Sequence, residues 1–237
     1  MLIRRLPRRL LPLSSSARQP FSSLGRVDLS AQRRECRQRH SGGDPFICWK
    51  CEHHLKCPVA FCPGCKTIQP PPQKKNVFQI LGVEESFDVD LSKLSERYKQ
   101  MQKSIHPDRF SNATDAEQKI SSQYSAELSN AHRTIADPVQ RAQALLHIKG
   151  VGIGESESVS DPKFLGEVLE TRERIESGDP ADLDDIRRET VDLLIADQDD
   201  FRAAYESGDL SRARDATMRM IYRSNVLSVI CKRQPVT

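Results

Sequence analysis

The feature that most constrains the fold is a pair of amphipathic stretches that flank the tripeptide His106-Pro107-Asp108. On both sides, apolar residues recur at spacings of three and four, which places them on one face of a helix. They are Leu91, Leu94, Tyr98, Met101 and Ile105 before the tripeptide, and Ile120, Tyr124, Leu128, Ala131 and Ile135 after it. Because a proline disfavours helical geometry at the residue before it, the first helix is predicted to end at His106. The sequence therefore predicts a helical hairpin whose tip presents an imidazole and a carboxylate.

Local signals mark the ends of these helices. Thr114 and Glu117 have the spacing of a capping box at the start of the second helix, and Val77–Val83 is predicted to form a short preceding helix that a glycine ends. With the tripeptide, these elements resemble the J-domain, by which DnaJ-type co-chaperones act on seventy-kilodalton, DnaK-type heat-shock ATPases. The basic residues that match the family's second helix are Lys93, Arg97, Lys99 and Lys103. The resemblance implies that this basic face and the tripeptide bind the ATPase chaperone and trigger ATP hydrolysis.

Four cysteines form two Cys-x-x-Cys pairs, Cys48 with Cys51 and Cys62 with Cys65, with ten residues between the pairs. Each pair can wrap one turn around a metal ion and supply two thiolates, and two such turns complete a tetrahedron. Ligand softness and spacing favour zinc over iron. Because four thiolates leave no open position for water, the site is predicted to be structural. Residues 44–69 are thus predicted to form a zinc knuckle, a module too short to build a core of its own.

The sequence leaves other interpretations of these cysteines open. Cys57, His53 and His54 lie in the loop between the two pairs and could replace one of the four ligands. The alternatives to a metal site are a disulfide pair and a redox-active dithiol. A reducing compartment disfavours structural disulfides, and no βαβ pattern supports a thioredoxin-like module.

The amino-terminal segment differs from the rest of the chain in charge. Residues 1–40 contain ten arginines against Asp28 and Glu35, a net charge of +8, which leaves −5 for the remainder of a chain whose total is +3. An arginine-rich and serine-rich segment with interleaved leucines is typical of a mitochondrial or plastid transit peptide, so residues 1–43 are predicted to direct import into one of these organelles, with the mitochondrial matrix as the destination that the family resemblance described below implies. The alternative is a disordered basic tail that contacts RNA or acidic lipid. A cytosolic pool is left open.

The carboxyl-terminal half predicts a helical bundle. Three consecutive prolines predict a stiff linker at residues 70–75, which separates the knuckle from a J-domain at 76–138. Asp-Pro pairs at residues 137–138, 161–162 and 179–180 are typical helix starts. The apolar stripes that follow include Phe164, Leu165, Val168, Leu169 and Ile175, then Leu183, Ile186, Val191, Leu194, Ile195 and Phe201, then Leu210, Ala213, Met220, Ile221 and Leu227. Short connections predict antiparallel packing, so we expect a mostly α fold with a three-helix bundle at 139–232.

The order of these elements narrows the resemblance. A J-domain followed by Asp137–Gly150 and Asp161–Glu170, behind a double Cys-x-x-Cys knuckle, resembles the mitochondrial forms of the HscB/Jac family, co-chaperones of iron–sulfur cluster assembly. The resemblance implies that the bundle binds the scaffold protein on which clusters are built and delivers it to the ATPase chaperone. The positions that match the family's scaffold-binding face are Leu165, Leu169, Glu170, Glu173 and Tyr222. Gly166 stands where the family more often has a large apolar residue, and glycine inside a helix costs about 1 kcal/mol relative to alanine.

The chain is predicted to activate a partner ATPase and not to be an enzyme itself. Its sequence shows no nucleophile beside a base, no phosphate-binding loop and no open metal site. The chain after residue 40 has a net negative charge, which argues against a nucleic-acid-binding protein. No apolar run reaches the length of a membrane span. Two other functions stay open, a general mitochondrial J-protein for unfolded clients and a zinc-dependent thiol oxidoreductase. Self-association into a homodimer is also left open.

Overall fold

The computed structural model describes residues 46–55, 58–72, 75–153, 162–177 and 180–233. The elements in this part of the chain are β1 (Phe46–Ile47), β2 (His54–Leu55), α1 (Val77–Leu81), α2 (Leu91–Ile105), a 3-10 turn (Pro107–Phe110), α3 (Asp115–Ala136), α4 (Pro138–Ile148), α5 (Pro162–Ser177), α6 (Pro180–Ser207) and α7 (Leu210–Arg233). The prediction of a mostly α fold is confirmed. The predicted transit peptide at 1–43, Cys57 and the helix-start residues Asp161 and Asp179 lie outside the described residues.

The knuckle is a small antiparallel unit that packs against the helices. Strand β1 pairs with β2, with Phe46 opposite Leu55, and an isolated bridge joins Phe61 to Ile68. Ile68 is only 1% exposed and belongs to the same hydrophobic core as the helices that follow it. The knuckle therefore contributes a side chain to the helical core, as expected for a module too small to bury enough apolar surface alone.

The helical hairpin has the ends that the sequence predicts. Helix α1 is followed by Gly82 in the left-handed conformation, with a φ of 62°, which a glycine adopts without steric cost. The start of α2, which was not predicted, is capped by Asp90, whose side chain accepts hydrogen bonds from two backbone N–H groups. Thr114 and Glu117 form both hydrogen bonds of the predicted capping box at the start of α3. Helix α2 ends at Ile105, and His106 has an extended ψ of 134°, as the following proline requires.

One hydrophobic core runs through the hairpin into the bundle. Helix α4 packs against both α3 and α7, so that its buried leucines connect the two halves of the molecule. The fully buried members of this core include Phe78, Leu81, Leu94, Ile105, Leu128, Ile135, Leu145, Leu146, Phe201 and Met220. A second, smaller core of Ile175, Leu183, Ile186, Val226 and Ile230 joins α5, α6 and α7.

The loop between α1 and α2 is fixed on helix α6 by aromatic and charged contacts. The rings of Phe87 and Phe201 lie 4.7 Å apart, and the guanidinium groups of Arg141 and Arg202 lie 4.9 and 5.8 Å from the centre of the Phe87 ring. Arg202 also forms an ion pair with Asp88 at 2.8 Å. Packing of this kind joins the hairpin to the bundle in one body.

The predicted apolar stripes are not buried along their whole length. Val191 and Ile195 were expected to face the core, but both are exposed. The buried face of α6 instead passes through Thr190 and Asp197, polar residues that keep the helical spacing and are omitted when apolar side chains alone are followed. Leu91 is also exposed, because it lies in the first turn of α2 at the edge of its stripe.

Candidate functional site

The His-Pro-Asp turn stands at the open end of the hairpin. The backbone N–H of Asp108 donates to His106 Nδ1 over 3.3 Å, and the same nitrogen lies 3.4 Å from Asp108 Oδ2. The Asp108 side chain is almost fully exposed, and that of His106 is about half exposed. The structure therefore presents both groups to solvent on one short 3-10 turn, as predicted.

Helix α3 holds both ends of this turn. Ser121 is buried, and its hydroxyl donates to the carbonyl of Ile105, the last residue of α2, over 2.6 Å. Gln118 Nε2 donates to the carbonyls of Ser111 and Ala113 at 3.2 and 3.1 Å. Because the first two turns of α3 bond to the chain on either side of the tripeptide, the position of the His-Pro-Asp turn depends on the stability of the start of α3.

The basic residues of α2 are not equivalent. Lys99 and Lys103 are exposed, and Lys93 is exposed beside Asp90, with 3.1 Å between Nζ and Oδ2. Arg97 is half-buried, and its Nε donates to the carbonyl of Leu81 at the end of α1. A partner can therefore reach the three lysines directly, whereas Arg97 also bonds to a carbonyl at the end of α1, where the helix supplies no N–H partner.

Helix α5 presents a mixed apolar and acidic surface. Leu165 and Leu169 are exposed on its outer side, together with Glu170 and Glu173, while Phe164 and Ile175 are buried underneath. Exposed leucines four residues apart form a short apolar strip on one face of the helix, which one partner surface can cover. No atom outside the helix lies within 4 Å of the position that a Cβ of Gly166 would occupy, so the strip also has an open position at its edge.

Tyr222 lies on the inner side of α5 and not among the exposed leucines. Its hydroxyl donates to the carbonyl of Val168 over 3.0 Å, and its ring packs edge-on against Phe164 at 5.5 Å. The side chain remains half-exposed. The structure thus brings Leu165, Leu169, Glu170 and Glu173 onto one surface and places Tyr222 where it supports that surface.

A network of ion pairs beneath α5 was not predicted. Arg223 is buried, and it bonds to Asp197 of α6 at 3.2 Å and to Glu167 of α5 at 3.4 Å. Arg219 bonds to the same Asp197 at 2.6 Å. Charged residues on helices are ordinarily solvated, so the sequence offered only one signal, the spacing of four between Arg219 and Arg223 that puts both on one face of α7. The network ties all three helices of the bundle together.

The four knuckle cysteines converge on one point. Their sulfur atoms all lie within 4.8 Å of one another, and Cys48 with Cys65 and Cys51 with Cys62 are each 3.7 Å apart. Four thiolates placed tetrahedrally about 2.3 Å from a zinc ion would be roughly 3.8 Å apart, so these residues fit a single tetrahedral metal ion. Gln69 supports the fit because its buried Nε2 donates to Cys48 Sγ over 3.3 Å.

The pKa shifts of three of these thiols, Cys48, Cys51 and Cys65, agree with this fit. Burial raises the pKa of Cys48, but the backbone N–H groups of Cys51 and Lys50 outweigh that effect, so its pKa is lowered. The side chain and then the backbone of Thr67 lower the pKa of Cys65 to about 6. The backbone N–H of His53 lowers the pKa of Cys51, yet the neighbouring thiols, Cys65 first, raise it to about 12. Thiolates so close repel one another, and a bound cation would remove that repulsion.

Neither histidine of the loop joins this group. Within the described residues, the candidate metal group consists of Cys48, Cys51, Cys62 and Cys65 alone, and His53 and His54 are exposed outside it. In the same part of the chain, none of the helices is both long and apolar enough to cross a bilayer.

Comparison with known proteins places this architecture in a family. A family model described as the HSCB C-terminal oligomerisation domain matches residues 160–230. An Arabidopsis thaliana protein named iron-sulfur cluster co-chaperone protein HscB homolog is 32% identical over 229 residues, which are 96% of this chain and 85% of the relative. The chain belongs to the HscB family of co-chaperones. The mouse iron-sulfur cluster co-chaperone protein HscB is 31% identical over 184 residues, 76% of this chain and 79% of the relative.

A solved HscB structure supports the same conclusion. The crystal structure of human co-chaperone protein HscB superposes with a TM-score of 0.76 and 29% identity, and the match covers 80% of this chain and 100% of that structure. The prediction of an HscB-type co-chaperone is confirmed, and the family's description as co-chaperones agrees with a role that is not enzymatic.

Proposed function

We propose that this chain stimulates a mitochondrial DnaK-type ATPase chaperone and delivers the iron–sulfur cluster scaffold protein to it, so that clusters pass to recipient proteins. In this proposal, residues 76–138 bind the ATPase chaperone and residues 139–232 bind the scaffold. The observation that carries it is the presence of two separate exposed surfaces, one on the hairpin, whose core continues into α6 and α7, and one on α5, which packs on the second core formed with α6 and α7. His106 and Asp108 project from the hairpin tip, and Leu165 and Leu169 project from α5.

The first surface suits recognition of a partner more than proton transfer. The imidazole and carboxylate of the turn are exposed, and three lysines of α2 add positive charge on the same hairpin. Insertion of the turn between the lobes of the ATPase would shift the conformational equilibrium of that enzyme, because a ligand favours the state it binds more tightly. The positive face would accelerate encounter with an acidic partner surface.

The second surface suits a partner that is both apolar and basic. Leu165 and Leu169 offer apolar area, and Glu170 and Glu173 offer negative charge beside it. Tyr222 and Arg223 bond to α5 from beneath, so the helix is held in place before the scaffold binds. A surface that is already ordered loses less conformational entropy on binding.

The knuckle is proposed to hold one structural zinc ion through Cys48, Cys51, Cys62 and Cys65. When bound, such an ion supplies folding energy and not chemistry, because four thiolates complete its coordination. The chain itself supplies the N–H donors that stabilise the thiolates. Residues 1–43 are proposed to direct the protein to the mitochondrial matrix, as their composition suggests.

A substitution at the turn tests the proposal. His106→Gln removes the imidazole from an exposed side chain, so we expect it to abolish stimulation of the partner ATPase and to leave folding and scaffold binding unchanged. Single-turnover ATP hydrolysis by the chaperone is the measurement, with and without scaffold. His147→Gln, at an exposed position on α4, is the matched control. Wild-type stimulation by His106→Gln would contradict the proposal, and capture of unfolded chains in place of scaffold would favour a general J-protein.

A further inference from the structure

The knuckle touches the helix that holds the His-Pro-Asp turn. Lys50, between the first two cysteines, forms an ion pair with Glu117 of α3, with 3.1 Å between Nζ and Oε1. The Glu117 side chain is only 13% exposed and that of Lys50 is 46% exposed, so the pair is partly shielded from solvent. The two residues are 67 positions apart in sequence, which means that tertiary folding alone brings them together.

Glu117 is the second partner in the capping box at the start of α3, whose N-cap residue is Thr114. Its other carboxylate oxygen, Oε2, accepts from the hydroxyl and the backbone N–H of Thr114 at 2.8 and 3.2 Å. The hydrogen bond from the Thr114 side chain is the main cause of the lowered pKa of Glu117, with Lys50 contributing further. One carboxylate therefore bonds at the same time to the knuckle and to the cap of α3.

The position of Lys50 depends on the cysteine turn. Lys50 lies in a turn that the backbone N–H of Glu52 closes on the carbonyl of Cys48 over 3.0 Å, and the neighbouring Trp49 donates from its indole N–H to the carbonyl of Ile68 over 2.7 Å. Ile68, which follows the second cysteine pair, is buried in the helical core. A metal ion shared by both pairs would hold Lys50 against Glu117, and without it only the weaker contacts of the turn would do so.

We propose that metal occupancy of the knuckle controls the local stability of the helix start that holds the His-Pro-Asp turn, through the contact of Lys50 with Glu117 at the start of α3. The contacts form a continuous series. The cysteine turn positions Lys50, Lys50 holds Glu117, and Glu117 completes the capping box of α3 with Thr114. The first two turns of α3 then bond to the chain on both sides of the tripeptide through Gln118 and Ser121. The zinc-loaded knuckle thereby regulates the surface that binds the ATPase, an inference that deepens the function proposed above but can be measured without it.

Hydrogen exchange of the full-length protein tests this inference. The probe region is residues 118–121, the reference region is the middle of α7, and zinc is removed from the wild type with EDTA. Lys50→Met keeps the four cysteines but cannot form the ion pair. A partly exposed ion pair contributes little to local stability. We therefore expect backbone hydrogen exchange at residues 118–121 to be about two- to five-fold faster in zinc-loaded Lys50→Met than in the zinc-loaded wild type. Removal of zinc from the wild type should accelerate it at least as much, with no change in α7.

Lys66→Met is the matched control, because Lys66 lies beside Cys65 and its amine bonds to Pro63 within the knuckle. This variant should exchange like the wild type. In Lys50→Met, removal of zinc should add less acceleration at 118–121 than it does in the wild type. Equal exchange in Lys50→Met and Lys66→Met would overturn the proposal, and so would zinc removal without effect at 118–121. If the exchange results hold while no form stimulates an ATPase, the coupling stands and the proposed function fails.

Discussion

Replacement of Leu169 by alanine tests the proposed scaffold surface at its most exposed apolar side chain. Leu169 is 61% exposed, so most of its surface is free to be buried by a partner. Complete burial of a leucine side chain is worth about 1.5–3 kcal/mol, and the exposed part accounts for roughly 1–2 kcal/mol of that. Because about 1.4 kcal/mol corresponds to a factor of ten, the affinity for the scaffold should fall about 5- to 30-fold.

The stability of the folded protein should hardly change in the same variant. The buried fraction of Leu169 is small, and alanine favours the helix slightly more than leucine does. We therefore expect the free energy of unfolding to fall by less than about 1 kcal/mol. Isothermal titration calorimetry with the purified scaffold protein measures the affinity, and chemical denaturation followed by circular dichroism measures the stability.

Ile195→Ala is the control for this experiment. Ile195 is 53% exposed on α6, so it resembles Leu169 in chemistry and exposure but lies outside the proposed surface. Its substitution should leave scaffold affinity unchanged. The reasoning is refuted if Leu169→Ala binds the scaffold like the wild type, or if Ile195→Ala weakens binding to the same extent.

Three further predictions concern the stability of the bundle and the hairpin. Gly166→Ala should raise the free energy of unfolding by about 0.5–1 kcal/mol, since a Cβ there meets no neighbour within 4 Å; a lower melting temperature would contradict this. Arg223→Met should lower the free energy of unfolding, measured by chemical denaturation, by about 2–3 kcal/mol, because it leaves buried Asp197 with one arginine partner in place of two. A loss below about 0.5 kcal/mol would contradict this and show that Arg219 alone is enough to neutralise Asp197. The lowered pKa of Glu117, due first to the Thr114 hydroxyl, means that its ionised form stabilises the fold. The wild type should therefore have a higher free energy of unfolding than Glu117→Gln. This difference should be complete well above the ordinary glutamate pKa of about 4.3 and should disappear as the pH falls through the lower pKa of Glu117 in the folded protein. A difference in unfolding free energy that does not depend on pH would refute this.

The local structure of the hairpin could be predicted because its causes are local. The helix before Pro107 had to end at His106, since proline excludes helical geometry at that residue. The Thr114 cap and the glycine stop after α1 are likewise interactions between residues within a few positions of each other. The spacing of the two Cys-x-x-Cys pairs similarly restricted the knuckle to a small set of structures, and the four sulfur atoms do converge.

The exposed positions of the bundle could not be derived with the same certainty. A stripe of apolar residues on α6 suggested that Val191 and Ile195 face the core, but Thr190 and Asp197 occupy the buried face instead. Asp197 can be buried because Arg219 and Arg223 from another helix neutralise it. Charge pairing of this kind requires residues more than twenty positions apart to meet, and the periodicity of a single helix contains no information about it.

The sequence by itself determined where α2 ends, which tripeptide lies at the hairpin tip and that the two Cys-x-x-Cys pairs are the leading candidates for a shared metal, because steric effects, capping and ligand spacing act over short stretches of the chain. Tertiary structure alone decided which leucines of α5 remain exposed, that Tyr222 supports that helix from within, and that Lys50 of the knuckle meets the cap of α3. These outcomes depend on how separate elements pack, and packing is set by the sum of many weak contacts between distant parts of the chain.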